Sequence, residues 1–436
     1  MIRGLGRDIA AGAYNAIEPN EREALPGRCE FDDVEFSRRR QKTPVRGGVA
    51  TLFGSISLER FAYEPLSEAR DQGHTSISPL EMQLGIVAGN ATPALAERVG
   101  RLAASHTESE VLEVLKSEHA VSFSKETLRK VTRAVGEGLA DHLHEAQKQQ
   151  LLSWLREARD SKGRYQPVLA VGRDGIMLPI RGESTDREGC TGTISVPDRR
   201  GHRLGTVYLG QMPEEQQVTL SQSLTRLITD VLSAWDGPPP RLAYITDAGH
   251  HPTNYYWAVL QAMGDPRRPG RALRWTRVVD FYHASSYVAK LAELLFEDDG
   301  PSRHAWLRRM NHLLKHDTQG VSRVLRSAAW LRSQRTLTKK QTTAYESARG
   351  YLRNHRAAMH YAQYRQLRIP IGSGVTEAAC KTVFTQRFKE SGMSWKLTPK
   401  HSIQPILVLR LTQLSGVWDA TFRSWLRSRP LPAQNN

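Results

Sequence analysis

The chain is 436 residues long and carries 61 Lys and Arg against 45 Asp and Glu, a formal charge of +16. This is enough chain for two or three domains with sizeable cores, and the basic excess favours a polyanionic partner, because neutralised phosphates release counterions. No run of about 18 apolar residues is present to span a membrane, and the opening Met1–Asp8 lacks a signal peptide's apolar stretch. Cys29, Cys190 and Cys380 form neither a CxxC pair nor an even-numbered framework, which points to a reducing compartment and no structural zinc.

Residues 1–45 are polar, contain the basic run Ser37–Lys42, and are expected to form a loosely ordered basic arm. Partial alternation from Ala50 to Tyr63, with Gly54 as a bend, predicts a small β-hairpin within 46–78. Residues 79–160 carry helical patterns. Within them, Glu108–Lys116 and a second helix capped by Ser124, with Leu128, Val131 and Val135, are separated by a short break. The pair fits a helix-turn-helix, with Arg129 and Arg133 among its DNA-facing basic residues. It fits equally an ordinary helical pair packed on a core.

From Gln166 the pattern turns to strands: Val168–Val171 leading into Asp174, then Ile176–Ile180, Gly192–Val196 and Leu204–Leu209. A helix from about Glu214 to Trp235 stops at Pro238–Pro240, and a strand over Leu242–Thr246 runs into Asp247. A helix through Tyr255 and Leu260 and a last strand over Trp275–Val279 follow. Residues 291–368 read as basic helices with interleaved tryptophans, before Ile371-Gly-Ser-Gly-Val-Thr-Glu377 opens another helix. The apolar Ile403–Leu411, with Trp418, Phe422 and Trp425 after it, is expected as core closure or a dimer surface.

Three acids stand out. Asp174 and Asp247 each follow a buried strand, where α/β sheets place active-site groups, and Glu377 opens a helix after a Gly-Ser-Gly turn. Carboxylates on rigid elements can hold two hard cations about 4 Å apart, as two-metal phosphoryl transfer requires. A glutamate favoured by the helix dipole explains the location of Glu377 but not its two partners.

The element order is that of the ribonuclease H-like fold. The expected class is therefore α/β: a ribonuclease H-like catalytic core in 165–290 and 369–436, with an all-helical insertion at 291–368. The β-hairpin and the helical, helix-turn-helix-like DNA-binding region precede it. Over roughly residues 50–400 the chain resembles bacterial insertion-sequence transposases with a DDE triad, of the ISKra type and distantly related to the Mutator-like group. The resemblance rests on Asp174-Gly175, Asp247, Asp280-Phe-Tyr-His283, and Gly372–Glu377 followed by Lys381, Arg387, Lys389, Gly392 and Trp395. One departure is that Tyr63–Ser78 has no cysteine, where related sequences often carry a zinc-binding segment.

The resemblance implies a DNA transposase that cleaves and rejoins insertion-sequence ends. The alternatives are a structure-selective nuclease on the same fold and a non-catalytic helix-turn-helix DNA-binding protein. Asp174, Asp247 and Glu377 would hold two Mg2+ ions, with Mn2+ able to substitute. His283 would contact the scissile phosphate or orient water, with Asp280 fixing its tautomer; the alternative for His283 is a structural histidine. Arg308 and Arg309 in the helical insertion, and Lys381, Arg387 and Lys389 after the glutamate, would meet the DNA backbone. Trp395 would stack on an unpaired base or else lie buried. The implied partners are transposon-end and target duplexes, bound by a homodimer or larger assembly in the bacterial cytoplasm, at the nucleoid.

Overall fold

The computed structural model describes residues 2–66, 69–70, 72–297, 299–389, 393–397 and 403–434. Two compact units form, Met1–Ala146 with Ser402–Asn436, and Gln147–His401. Gly392, one of the positions behind the family resemblance, lies outside the described residues.

The second unit is built on a five-stranded mixed sheet. Its strands are β1 (Val168–Leu178), β2 (Arg187–Pro197), β3 (Arg203–Gln211), β4 (Arg241–Thr246) and β5 (Trp275–Val279), in the order β3-β2-β1-β4-β5. β1, β2 and β3 form an antiparallel meander, whereas β4 and β5 run parallel to β1. Strands covered on both faces read as continuous apolar runs. Here Val168, Ala170, Ala243 and Ile245 meet one helical layer, and Leu169, Val171, Leu242 and Tyr244 the other. The result is a mixed α/β unit, as the pattern predicts.

The helix α1 (Val218–Ala234) lays Leu220, Leu224, Leu227, Ile228 and Val231 on the second face. Leu151, Leu152 and Leu155, from the last turns of the helix Lys125–Asp160, share that cluster. After β4 comes α2 (His250–Tyr255), and after β5 come α3 (Phe281–Phe296), α4 (Gly300–His316), α5 (Gly320–Ser333), α6 (Lys339–Asn354) and α7 (Tyr361–Gln366). The expected all-helical insertion at 291–368 begins in the middle of α3 and has no core of its own. Met310, Leu314, Val324, Tyr345 and Leu352 join one apolar cluster with α3 and the sheet. Trp306 anchors it from inside: its indole N–H donates to Ser327 Oγ at 2.9 Å, and its ring packs on Phe296.

The first unit corrects the expectation of a loose N-terminal arm. Ile2–Asn15 is a helix, and Arg28–Phe31, Val34–Arg38 and Tyr63–Pro65 belong to a four-stranded sheet completed by Ala433–Gln434. Cys29, Phe36, Phe61 and Tyr63 bury together and supply the apolar anchor that orders this segment. The basic run is held down as well: Arg38 donates to the Leu25 carbonyl, Arg39 pairs with Glu64, and Lys42 Nζ donates to the Glu18 carbonyl at 2.8 Å. Val49–Thr51 and Gly54–Ile56 form the expected hairpin.

Ser124 caps its helix as predicted, accepting the Thr127 N–H at 3.0 Å, but that helix runs for 36 residues, which a pair of short helices does not describe. Gly136 and Gly138 lie in its interior, where glycine costs about 1 kcal/mol against alanine. A Cβ at these positions would come within 2.5 Å of the Pro405 carbonyl oxygen and 2.1 Å of Trp425 Nε1. The helices Gln404–Leu414 and Trp418–Ser428 therefore seat against this helix, and Arg410 donates to the Ala104 carbonyl at 3.2 Å. Residues from 403 onward thus belong to the first unit, not to the last part of the core as expected from sequence. Among the described residues no helix is long and apolar enough to cross a membrane.

Candidate active site

The acids gather where β4 ends. Parallel pairing of β4 with β1 runs to Ile245 opposite Gly172, an offset of 73 residues (245−172), and Asp247 and Asp174 are separated by the same 73 (247−174). Carried two residues further, the register sets the two aspartates level with each other. Asp174 is not at a strand exit, as the sequence pattern implied. Antiparallel pairing with β2 continues past it, through Asp174 opposite Thr191, to Leu178 opposite Arg187. It lies beyond the end of the parallel pairing alone, half-buried and still in a strand.

Glu377 arrives on α8 (Gly374–Ala379), which is keyed into β1 and β2. Thr376 Oγ1 and Thr193 Oγ1 are 2.8 Å apart, and a Cβ at Gly172 would sit 2.1 Å from that Thr376 oxygen. Only glycine admits the helix this closely. Gly172 and Asp174 share a face of the strand, so the same approach brings Glu377 toward Asp174. Burial pushes the Asp174 carboxyl up to about 6, opposed by hydrogen bonds from the Gly175 N–H and the Cys380 thiol; the charges of Asp247 and Glu377 push it up further. Cys380 continues from α8 into a π-helical turn, Cys380–Thr385, and a second such turn, Tyr256–Leu260, follows Asp247 and α2. Turns of this kind recur at functional sites.

Asp247 is braced on both sides. Its Oδ1 accepts the Gly249 N–H at 2.8 Å, and its carbonyl accepts the Tyr351 hydroxyl at 2.7 Å. Ala248 between them has φ 68°, a left-handed conformation that costs a non-glycine residue about 1–2 kcal/mol. Strain of this kind persists where the surroundings over-determine it. Tyr351 stacks on Tyr287 at 3.9 Å, and the His283 ring packs edge-on to both tyrosines.

Asp280 is fully buried, and its role differs from the one expected. Its Oδ1 accepts the backbone N–H of His283 at 2.6 Å as the cap of α3, and not the imidazole. Its Oδ2 accepts the Ser373 N–H, and the Ser373 hydroxyl at 2.8 Å. Ser373 Oγ lies 3.4 Å from Glu377 Oε1. Asp280 N–H donates to the Thr246 carbonyl at 2.8 Å, so this one residue ties the end of β4 to the loop that starts the Glu377 helix.

Several of the residues expected to contact DNA have partners within the chain. Arg387 is buried, with its guanidinium over the Phe388 and Trp395 rings. The Trp395 indole N–H donates to the Phe388 carbonyl at 2.6 Å, its ring packs against Phe388, and its backbone pairs with Pro179 and Arg181, leaving it half-buried. Lys389 Nζ donates to the Met177 carbonyl at 2.7 Å. Arg129 makes a two-point ion pair with Glu108, at 2.7 and 2.8 Å. Lys381, Arg308 and Arg309 are exposed, as is Arg133. Sequence reasoning missed Tyr351, for which it held no signal, and Gly172, whose place two residues before Asp174 on one strand face was a signal of close approach.

The donors are hard oxygens, which suit Mg2+ or Mn2+, and the repulsion felt at Asp174 is charge that such an ion would neutralise. Among the described residues no group of three or more His, Cys, Asp or Glu side chains is already arranged to hold an ion. Asp174 Oδ1 accepts the Gly175 N–H at 2.8 Å, as Asp247 Oδ1 accepts that of Gly249. Comparison with protein-family models and with curated proteins finds no match.

Proposed function

We propose that the chain is a DDE DNA transposase with a ribonuclease H-like core in its second unit, nicking and rejoining DNA at the ends of its own element. The observation that carries this is the coincidence of register and acids: Asp174 and Asp247 fall level beside parallel strands, and Glu377 comes from a helix keyed into Gly172 of the same strand. The strand order β3-β2-β1-β4-β5, with β4 and β5 parallel to β1, supports the ribonuclease H-like assignment. The charge of +16 supports a polyanionic substrate.

Asp174, Asp247 and Glu377 would hold the Mg2+ ions. Bound there, such ions would supply an activated water or 3′-hydroxyl and stabilise the leaving oxygen. The chain's own part is to aim and crowd the carboxylates. Asp280 fixes the start of the Glu377 helix through Ser373, and Tyr351 holds the backbone of Asp247. His283, beside Tyr351, would steady the scissile phosphate, while Lys381, Arg308 and Arg309 would meet the backbone of end DNA.

The test is a labelled duplex taken from the DNA flanking the reading frame, incubated with Mg2+ and either wild type or Asp247→Ala. Nicked and joined products from the wild type alone are expected. Nicking without joining would leave a nuclease on the same fold. Binding with neither product, in Mg2+ or Mn2+, would leave a DNA-binding protein.

A further inference from the structure

The edge of the sheet opposite the acids carries a different charge. Between α2 and β5 the chain folds back as a tight hairpin: Asp265 N–H donates to the Arg271 carbonyl at 2.7 Å, Leu273 N–H to the Met263 carbonyl at 2.8 Å, and Gly264 bridges Ala272. Asp265 uses its carboxylate to shape the turn, accepting the Arg267 N–H at 2.9 Å, and Arg267 is fastened to the Trp235 and Gly237 carbonyls at 3.0 and 2.9 Å. Arg268, Arg271 and Arg274 are left exposed, and among the described residues none of the three forms an ion pair. They line a cleft of about 900 Å³ together with Pro239, Pro240 and Leu242 and with Asp265, whose carboxylate is engaged in the turn.

Other arginines at this edge have evident structural partners. Arg199 donates to the Tyr165 carbonyl at 2.8 Å and Arg241 to the Gln166 carbonyl at 3.1 Å. Among the described residues the side chains of the three hairpin arginines have none, and a turn pinned by backbone hydrogen bonds presents them at little cost in backbone entropy. Planar guanidiniums in this state suit phosphate oxygens. Exposed Arg164, before β1, and Arg200 and Arg203, at the β2–β3 turn, extend the same edge, since Pro197 pairs with Arg203 and Val168 with Arg241. Across five strands that edge spans about 19 Å, the reach of five or six successive phosphates along one strand of a duplex.

The acids lie at the far end of β4, about 20 Å away by strand rise, with the sheet and its helices between. We propose that the Arg268–Arg271–Arg274 hairpin docks the phosphate backbone of a second DNA duplex, separate from the one at the acids. This rests on the DNA reading above.

The test uses the full chain and the triple variant Arg268→Ser, Arg271→Ser, Arg274→Ser. Duplex affinity is measured by fluorescence anisotropy without divalent metal, from about 50 to 200 mM salt. Removing three phosphate contacts should make the slope of log affinity against log salt shallower by about 2.7. The triple Arg→Lys variant should keep the slope. With Mg2+, nicking of a short end duplex should stay within about twofold while joining to a separate target duplex falls about tenfold. An unchanged slope in the Ser variant overturns the proposal, and so does loss of short-duplex nicking along with joining, which would put these arginines on the path of the cleaved strand. If the wild type neither nicks nor joins yet the slope still falls, the docking site stands and the transposase reading is what fails.

Discussion

At the edge where β4 ends, Asp174 and Asp247 are half-buried and held by neighbouring backbone N–H groups, while Glu377 stays exposed; at the edge where it begins, Arg268, Arg271 and Arg274 stand in solvent with no ion pair among the described residues. One edge gathers carboxylates and the other presents exposed arginines, and the difference lies in how each is held. The acids are individually costly where they stand: Asp174 sits partly desolvated beside like charges, and Ala248 next to Asp247 is strained. The arginines cost the fold little, because water solvates them. An arrangement that concentrates repulsion and burial in one place fits ion binding and chemistry, whereas solvated, rigidly presented cations fit reversible attraction to phosphate.

The comparison breaks most decisively at Asp247. Asp247→Ala should lower nicking in Mg2+ on the order of a thousandfold, while leaving the salt slope of metal-free duplex binding as in the wild type. Retained nicking would detach the acidic edge from the chemistry.

The second effect is on stability. The folded protein holds the Asp174 proton up to about pH 6, whereas the unfolded chain releases it near the ordinary aspartate value of 3.8. Between these values the native state binds more protons, so metal-free stability should fall as pH rises through this window, by roughly 3 kcal/mol in total. Asp174→Asn should remove that fall in denaturant melts at a series of pH values. An identical pH profile in the variant would mean that burial does not hold the Asp174 proton.

The third effect concerns alignment. Asp280→Ala releases Ser373 and the start of α8, so cleavage should fall about a hundredfold. The Mg2+ concentration needed for half-maximal rate should rise as well. A loss of stability with unchanged Mg2+ dependence would make Asp280 a helix cap and nothing more.

Much of this site was legible because each acid is tied to a local signal. An apolar run ending at Thr246 announced Asp247, the span Trp275–Val279 matches β5, and Gly-Ser-Gly marked the start of the Glu377 helix. What was not legible depended on partners far away in sequence. Polar Arg173 and Asp174 looked like the end of a strand, but β1 continues because β2 keeps pairing after β4 has stopped. The N-terminal arm looked loose because its strands are short. Its signal was the Asp32-Asp33 pair, both residues left-handed, making a two-residue turn between Cys29–Phe31 and Val34–Phe36. The place of the C-terminal helices depends on residues such as Gly136 and Gly138, more than 250 residues before Pro405 and Trp425 (405−136 = 269).

Arg387 gives the smallest effect on DNA and the sharpest check of the contrast between held and free cations. By residue type and position it belongs with a DNA-facing series, yet it is only 4 % exposed and lies over Phe388 and Trp395. Arg387→Ala should lower stability by about 1–2 kcal/mol through lost cation–π and packing contacts, with the salt slope of duplex binding unchanged. The single change Arg268→Ala should do the reverse, leaving the melt alone and flattening the slope by about 0.9. If Arg387→Ala flattened the slope by a similar amount, burial in the free protein would not predict which arginines meet phosphate, and the distinction between the two edges would have to rest on the acids alone.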